Sequence, residues 1–578
     1  LSSSSAASDV YKRQGINYTL LPNPAAQSTA LAQPTAVEFE SNGAFLWLSA
    51  FNSDRVARVD TSTGAVTERV DLRLGGGSSQ VMRGPRGLAL HPQASRLYVL
   101  NKISDTLSTV DTSTLAVMSE VKLSTADPMP LNIRQGRGFL FDARLSGNGT
   151  VSCATCHIDA DRDGLAWDLG DPGGSMVTVQ GAALSAHITT LRTRSLHPMK
   201  GPLITQTLRG MASNTTSVSS PAAAVTTKFH WRGDKPSIQS FNSTFPNLLG
   251  GSTIAATDMD NLASYLLSIR HHPNPNRNLD RTLKTSLAGG NPVTGRDLFN
   301  NHLASHCITC HPLASGTDQN LDNFSEFGGT QSMKNPPLRT VYQRANQFNP
   351  SSGAISRAGF GLGSDGTGFA LPKVHPYVLD DLSTGDLIHL TAFILSFDTG
   401  SAPVSSASFA VNPQNASSMA STLDVLENAP SADGDLVVHA RIGGVGTAYF
   451  YNKTTKLYQS AANTLLTRSQ LLAQLGSNDV LLFSGRASGM GLQSSIDRNT
   501  NAIPDLQEPT PSLQLLTAPA QTLQLSWPQS ASSWLLEESS NLRDWLPSTK
   551  PATANGAQWQ VTFPPVQARE FFRLRRSW

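Results

Sequence analysis

The chain has 578 residues, of which 44 are basic and 42 acidic, so its formal net charge is +2. This length suits several domains of about 100–200 residues each. Charged residues make up only 15% of the chain and form neither a basic stripe nor an acidic tail, which argues against a nucleic-acid partner. The sequence has no apolar run of about 18 residues or more, so we predict no transmembrane segment.

The first segment, residues 1–14, reads LSSSSAASDVYKRQ and lacks the apolar core of a signal peptide. We interpret it as a non-native leader and leave it out of the fold prediction. A flexible, Ser-rich native tail is the alternative.

Residues 15–126 contain an internal repeat. The pentapeptide Val-Asp-Thr-Ser-Thr begins at Val59 and again at Val110, and Pro34 corresponds to Pro85 at the same shift of 51 residues. Tandem units of this size, built from short alternating strands, are typical of β-propellers. Since a closed propeller needs at least about four blades, we predict only a propeller fragment here.

All four cysteines of the chain lie in two copies of a C-x-x-C-H motif. The copies are Cys153-Ala-Thr-Cys156-His157 and Cys307-Ile-Thr-Cys310-His311. This motif attaches haem c, because its two thiols can form thioethers with the haem and the adjacent histidine can ligate the iron. A structural zinc site and a redox dithiol are the alternatives.

Helical patterns surround both motifs. Residues 136–142 and 294–299 precede them, and the apolar-periodic segments 259–269 and 386–397 follow them. We therefore predict two mainly α cytochrome c domains, over residues 127–285 and 286–400.

Residues 401–510 are predicted to be a linker and a β-rich region, and residues 511–578 a small β-sandwich-like region with aromatic anchors. The segment 497–508 has oxygen-bearing side chains at the spacing of an EF-hand calcium loop. These residues are Asp497, Asn499, Asn501, Asp505 and Glu508. Ala502 stands where the loop usually has glycine, and a plain polar turn is the alternative.

Several segments between residues 128 and 400 resemble the bacterial di-haem cytochrome c peroxidases, and the 51-residue repeats resemble YVTN-type propeller units. The peroxidase-like segments are residues 144–157, 197–202, 229–234, 334–339 and 359–366. The resemblance implies two covalently bound haem c groups that face a shared interface. The predicted fold class is therefore multidomain, with a partial β-propeller, two mainly α cytochrome c domains and a C-terminal β-sandwich-like region.

The resemblance also implies roles for single residues. Trp231 matches the tryptophan that carries electrons between the haems, while His230 beside it is either a hydrogen-bond donor near a haem or an ordinary packed histidine. The candidates for the sixth iron ligands are His197 or Met199 for the first haem, and His375, Met333 or Tyr377 for the second. Ser364 stands where the family often has histidine, which puts standard peroxidase chemistry in doubt.

The sequence thus predicts an exported, periplasmic or extracellular di-haem cytochrome whose signal peptide is missing. It would take electrons from a small redox protein and pass them on, with hydrogen peroxide as the expected acceptor. A pure electron carrier or haem sensor is one alternative, and a cell-surface binding protein with auxiliary haems is another.

Overall fold

The structure is a computed structural model. It describes residues 20–73, 82–123, 129–169, 174–180, 193–196, 198–212, 229–302, 307–319, 333–344, 361–364, 366, 382–508, 510–518, 522–529, 534–540, 542, 545–548, 550, 552–564 and 570–576.

The predicted fold class is wrong. The chain is a mixed protein with 23% helix and 29% strand, and its sheets are small, antiparallel and not closed within the described residues. The C-x-x-C-H regions are not clearly mainly α, because short strand pairs and extended loops occupy much of the chain between their helices. The partial propeller and the two mainly α cytochrome domains are therefore not the architecture.

The chain divides into two compact units. One holds residues 1–85 and 130–403, and the other holds residues 86–129 and 404–578. Both C-x-x-C-H motifs lie in the first unit.

The first unit combines one four-stranded sheet with pairs of helices and two short strand pairs. The sheet has the order β1-β2-β3-β4 with strands Pro34–Phe39, Phe45–Ala50, Arg55–Asp60 and Val66–Asp71. The helices are α1 (Pro24–Thr29), α2 (Leu131–Phe141), α3 (Cys153–Cys156), α4 (Thr244–Asn247), α5 (Ala256–Ser268), α6 (Pro292–Asn301), α7 (Cys307–Cys310), α8 (Val341–Arg344) and α9 (Thr384–Leu395). Ala166–Trp167 pairs with Leu203–Ile204, and Val177–Gln180 pairs with Thr193–Leu196.

Each motif has its own closely packed helix pair. Helix α2 crosses α5 at Gly136, where an added Cβ would lie 1.8 Å from the carbonyl oxygen of Asn261. Helix α6 crosses α9 at Gly295, where an added Cβ would lie 1.9 Å from the carbonyl oxygen of His389. Glycine is required at both crossings, because a side chain would collide with the facing backbone.

The second unit begins with another four-stranded antiparallel sheet, whose strands are Pro85–Leu90, Arg96–Asn101, Thr106–Asp111 and Ala116–Lys122. The first residues of the first three strands lie 51 residues after their counterparts in β1 to β3. Asp60 and Asp111 stabilise equivalent turns in the two sheets. Each side chain accepts a hydrogen bond from the amide of the serine two residues later, at 2.9 and 2.8 Å. The repeat in the sequence is therefore a repeat in structure, although neither sheet belongs to a closed ring within the described residues.

The rest of the second unit contains three further sheets. A six-stranded sheet runs in the order Ser408–Val411, Val480–Arg486, Asp435–Ile442, Val445–Asn452, Leu457–Ser460 and Leu465–Leu466. Helices Ala420–Asn428 and Arg468–Leu472 accompany it. A four-stranded sheet (Gln514–Ala518, Thr522–Pro528, Gln558–Phe563, Thr553–Asn555) and a three-stranded sheet (Leu546–Pro547, Trp534–Ser539, Phe571–Arg576) share an apolar core that includes Trp527 and Phe563.

Among the helices that the structure describes, none has the length and apolar character needed to cross a membrane.

Candidate functional site

The two C-x-x-C-H motifs adopt the same backbone form. In each, the four residues from cysteine to cysteine make one helical turn, and the histidine amide donates to the first cysteine's carbonyl oxygen at 2.9 Å. Residues three apart on a helix lie on the same face, so each turn brings its two thiols together next to the histidine. No disulfide joins the four cysteines.

The first turn is fixed at its start by a capping box. The Thr155 hydroxyl accepts the Ser152 amide at 2.9 Å, and the Ser152 side chain caps the Thr155 amide in return. The Ser152 hydroxyl also accepts a hydrogen bond from Asn52 Nδ2 at 2.9 Å, and Asn52 is fully buried. The first turn is therefore held by the short 3-10 turn that joins β2 to β3.

The ring of His157 is not fixed by a hydrogen bond in the described structure. Its Nδ1 is buried and has no hydrogen bond of normal geometry in the described structure. Burial lowers the pKa of His157, against the opposing effect of the nearby backbone of Asp161 and Gln206. Neutral imidazole is the form that binds a metal.

His311 is locked through its ring. Its Nδ1 lies 2.9 Å from the carbonyl oxygen of Gly316, so Nδ1 carries the proton and the ring lone pair lies on Nε2. Gly316 has φ +73°, and an added Cβ would lie 3.0 Å from the Leu338 amide nitrogen. Burial lowers the pKa of His311 as well, against the raising effect of Gly316.

The thiols of the first turn differ from those of a redox dithiol. Burial raises the pKa of both Cys153 and Cys156 to about 11. A redox dithiol instead needs a lowered thiol pKa, because the thiolate is the nucleophile. In the parts of the chain that the structure covers, no group of three or more His, Cys, Asp or Glu side chains is arranged to hold a metal ion.

The surroundings of the turns fit a covalently attached haem. Large apolar side chains next to the first turn are exposed to solvent in the polypeptide, and Leu313 beside the second turn is exposed as well. The set at the first turn is Ile158, Leu165, Trp167 and Leu169. A flat apolar macrocycle attached at the thiols gives such side chains a partner to pack against.

Trp231 lies in a small buried cluster with Ile204 and Met333. It is 7% exposed, its Nε1 donates to the Ile204 carbonyl oxygen at 2.9 Å, and it packs with Ile204 and Met333. The tight loop that carries it begins and ends in the bridge between Phe229 and Lys235. Two residues that the sequence predicted separately, Trp231 and Met333, are therefore neighbours.

Short hydrogen-bonded segments lead from Trp231 toward each motif. On one side, the amide of Thr205, next to Ile204, donates to Leu165 at 3.2 Å in the loop that follows His157. On the other side, the Lys334 amide donates to the Trp231 carbonyl at 2.6 Å.

The segment that begins at Lys334 continues to the second motif. Asn335 Nδ2 donates to Asp318 Oδ1 at 2.9 Å, and the Pro336 backbone approaches His311 closely enough to oppose the lowering of its pKa by burial. Asp318 in turn donates its amide to the Cys310 carbonyl at 2.9 Å. Trp231 thus connects to the surroundings of both motif histidines.

The candidate sixth ligands are only partly placed. Met333 is 5% exposed and packs on Trp231, whereas Met199 is exposed and its carbonyl accepts a hydrogen bond from Arg232 at 3.3 Å. His197, His375 and Tyr377 lie outside the described residues. Ser364 uses its backbone carbonyl to accept the Ile204 amide at 2.9 Å.

A histidine–aspartate pair next to Trp231 was not identified from the sequence. His230 Nδ1 lies 2.9 Å from Asp234 Oδ1, and His230 packs edge-on against Phe241 with 4.7 Å between ring centroids. Burial raises the pKa of Asp234, but the hydrogen bond and charge of His230 outweigh this effect and lower it. The separation of four residues between His230 and Asp234 was the signal in the sequence that could have indicated this pair. The contact forms in a tight loop and not on a helix.

The predicted calcium loop satisfies its own polar groups. Asp497 accepts the amides of Asn501 and Ala502 at 3.1 and 2.9 Å, and Asp505 accepts the amide of Arg498 at 2.9 Å. Burial raises the pKa of Asp505, as do two neighbouring carboxylates, against the amide and charge of Arg498. The side-chain amides of Asn499 and Asn501 both donate to Glu508. Calcium binding at this loop stays a prediction.

No protein-family model and no curated protein matches the chain. Two solved structures of hydrazine synthase from Kuenenia stuttgartiensis show limited similarity. One is 30% identical over 16% of this chain and 24% of its own length, with a TM-score of 0.14, so the match spans about a quarter of that protein. The other, from crystals pressurised with 20 bar xenon, is 17% identical over 47% of this chain and 89% of its own, with a TM-score of 0.30. Similarity at this level assigns neither a fold nor an activity to this chain.

Proposed function

We propose that this chain is an exported di-haem c-type cytochrome that transfers electrons between two covalently attached haems. Attached haem would supply one-electron redox chemistry at each motif. The protein's residues would attach the two groups, ligate each iron through His157 and His311, and bury Trp231 between them. Because haem c is attached outside the bacterial cytoplasm, the proposal includes a periplasmic or extracellular location and a small redox protein as electron donor.

The observation that carries this proposal is the identical form of the two motif turns together with the position of Trp231. Each turn carries two cysteines and is followed directly by a histidine, and Trp231 is hydrogen-bonded to segments that reach the surroundings of both histidines. A zinc site or a dithiol would require neither this duplication nor the buried tryptophan between the copies. Electron transfer uses both features.

Hydrogen peroxide is the second candidate, as the electron acceptor of a peroxidase-like reaction. The pair of His230 and Asp234 favours it, because a histidine oriented by a carboxylate is a common proton-transfer group. His230 lies next to Trp231, on the route that electrons would take. The pair could accept a proton from bound peroxide and return it to the departing oxygen.

The test uses protein matured with haem c and follows absorption and electron paramagnetic resonance in the oxidised and half-reduced states. Peroxidase-like chemistry predicts a high-spin signal in the half-reduced state that added peroxide consumes. Two low-spin irons in both states, unaffected by peroxide, would reject peroxide as acceptor and leave electron transfer alone.

The relay itself is tested with Trp231→Phe. Phenylalanine keeps the packing on Ile204 and Met333 but loses the indole and its hydrogen bond, so we expect the rate of inter-haem electron transfer to fall at least about tenfold (about 1.4 kcal/mol on the barrier). Trp559→Phe, at a partly buried tryptophan of the other unit, is the control and should leave the rate unchanged. An unchanged rate in Trp231→Phe would remove Trp231 from the route.

A further inference from the structure

Two arginines from different parts of the first unit meet near the motif loops. Arg162, in the loop after His157, donates from Nη2 to the Gln343 carbonyl at 2.8 Å. The next residue, Arg344, ends helix α8 and is 7% exposed. Its Nη1 donates to the Gly361 carbonyl at 3.4 Å.

Neither arginine has a carboxylate partner within 4.0 Å in the described part of the chain. Asp161, the acidic residue beside Arg162, has its carboxylate 3.5 Å from Arg209. Burial, and then the charge of Arg162, lowers the pKa of Arg344 to about 10. The two guanidinium groups are therefore close enough to repel each other.

Each guanidinium donates to a carbonyl oxygen and the charge of Asp161 partly offsets that of Arg162, but a close anion would stabilise the pair further. A buried cation without a counter-ion is destabilising, and a second cation nearby adds to the effect. A guanidinium presents a planar fork of N–H donors that matches a carboxylate and can bind it through two hydrogen bonds. Two such groups on adjoining segments fit an anion with paired oxygens, of which a carboxylate is one.

We propose that Arg162 and Arg344 together bind a carboxylate, and that in the mature protein this carboxylate is a propionate of an attached haem. The identity of the ligand rests on the proposed di-haem function. Arg162 follows the first motif and Arg344 follows the second, so a shared propionate would also join the two motif regions.

The experiment is a redox titration of the haem-loaded protein, followed by absorbance at several pH values, for Arg162→Gln and Arg344→Gln. Losing a nearby cation favours the oxidised iron, so one of the two midpoint potentials should fall, by ~59 mV for each tenfold change in the reduction equilibrium. The pH at which that potential begins to change should also rise, because the propionate loses the charge that keeps it ionised.

Two further variants make the result specific. Arg162→Lys retains the charge and should keep the potential closer to that of the unmodified protein than Arg162→Gln does. Arg96→Gln removes an exposed arginine of the other unit and should leave both potentials unchanged.

Potentials and pH profiles of Arg162→Gln that match those of Arg96→Gln would overturn the propionate assignment, even with both haems attached. Because Arg162 is only partly buried, Arg162→Gln should still fold. It therefore tests the propionate assignment even if Arg344→Gln does not fold. Absence of covalent haem from the unmodified protein would instead overturn the proposed function, and the two failures are therefore distinguishable.

Discussion

The two C-x-x-C-H turns share one backbone form but are held in different ways. The second turn is fixed from within its own loop, because the Gly316 carbonyl oxygen accepts a hydrogen bond from Nδ1 of His311. The first turn is fixed from outside, because buried Asn52, in the turn between β2 and β3 of the first sheet, donates a hydrogen bond to Ser152 at the start of the motif turn. The difference teaches that the same motif can be positioned by its own loop or by a neighbouring sheet.

The largest expected effect is at the helix crossings that accompany each turn. In Gly295→Ala the new Cβ would lie 1.9 Å from the His389 carbonyl oxygen, so helices α6 and α9 must separate. We expect a loss of about 3 kcal/mol or more in the free energy of unfolding, measured by chemical denaturation. Gly446→Ala, where an added Cβ meets nothing within 4 Å, is the control. Native-like stability of Gly295→Ala would show that the crossing is looser than described.

A second effect concerns Asp54, which lies in the same buried segment as Asn52. Asp54 is fully buried, and burial raises its pKa from 3.8 to about 6, despite the charge of Arg144 and the amides of Gly84 and Arg83. Between these values the folded chain binds more protons than the unfolded chain. The free energy of unfolding should therefore fall by about 2 kcal/mol as the pH rises from about 4 to about 6.

Replacing the carboxyl by an amide removes this titration. In Asp54→Asn we expect a flatter profile of unfolding free energy between pH 4 and 6, measured by denaturation at several pH values beside the unmodified chain. Profiles of equal slope would contradict the role given to Asp54.

The third effect distinguishes the two turns directly. Gly316→Ala places a side chain at φ +73° and 3.0 Å from the Leu338 amide nitrogen, so the loop that holds His311 must shift. We expect a loss of about 2 kcal/mol and a changed absorption or paramagnetic resonance signal from the second haem alone. Equal changes in both haem signals would contradict the separate support of the two turns.

The smallest expected effect comes from removing the hydrogen bond that supports the first turn. Asn52→Ala removes the hydrogen bond to Ser152 and should cost about 1–2 kcal/mol, with a changed signal from the first haem alone. Asn42→Ala, at an exposed turn of the same sheet, is the matched control for denaturation and spectroscopy. A change confined to the second haem would refute the link between the first sheet and the first turn.

Local features were predictable from the sequence. The 51-residue repeat appears as two sheets whose first three strands begin 51 residues apart, and segments predicted as helices at 136–142, 259–269, 294–299 and 386–397 overlap four observed helices. These features depend on periodicity and on turn-forming residues, which are read within short windows.

Long-range features were not predictable. The contact of Trp231 with Met333, the bond from Asn52 to Ser152 and the approach of Arg162 to Gln343 all join residues about 100 or more positions apart. No periodicity specifies such contacts, because they depend on how separate elements pack. The same limit explains the incorrect fold class, since the motifs predicted helices but not the short strands and extended loops between them.

The most direct test of the account is the intact mass of the mature, denatured protein and of two variants that lose the thiols of one motif. Covalent attachment predicts two haem masses on the unmodified chain. It predicts one haem mass on Cys153→Ser/Cys156→Ser and one on Cys307→Ser/Cys310→Ser. An unmodified chain that carries no covalent haem, when produced with a working haem c attachment system, would contradict the di-haem assignment.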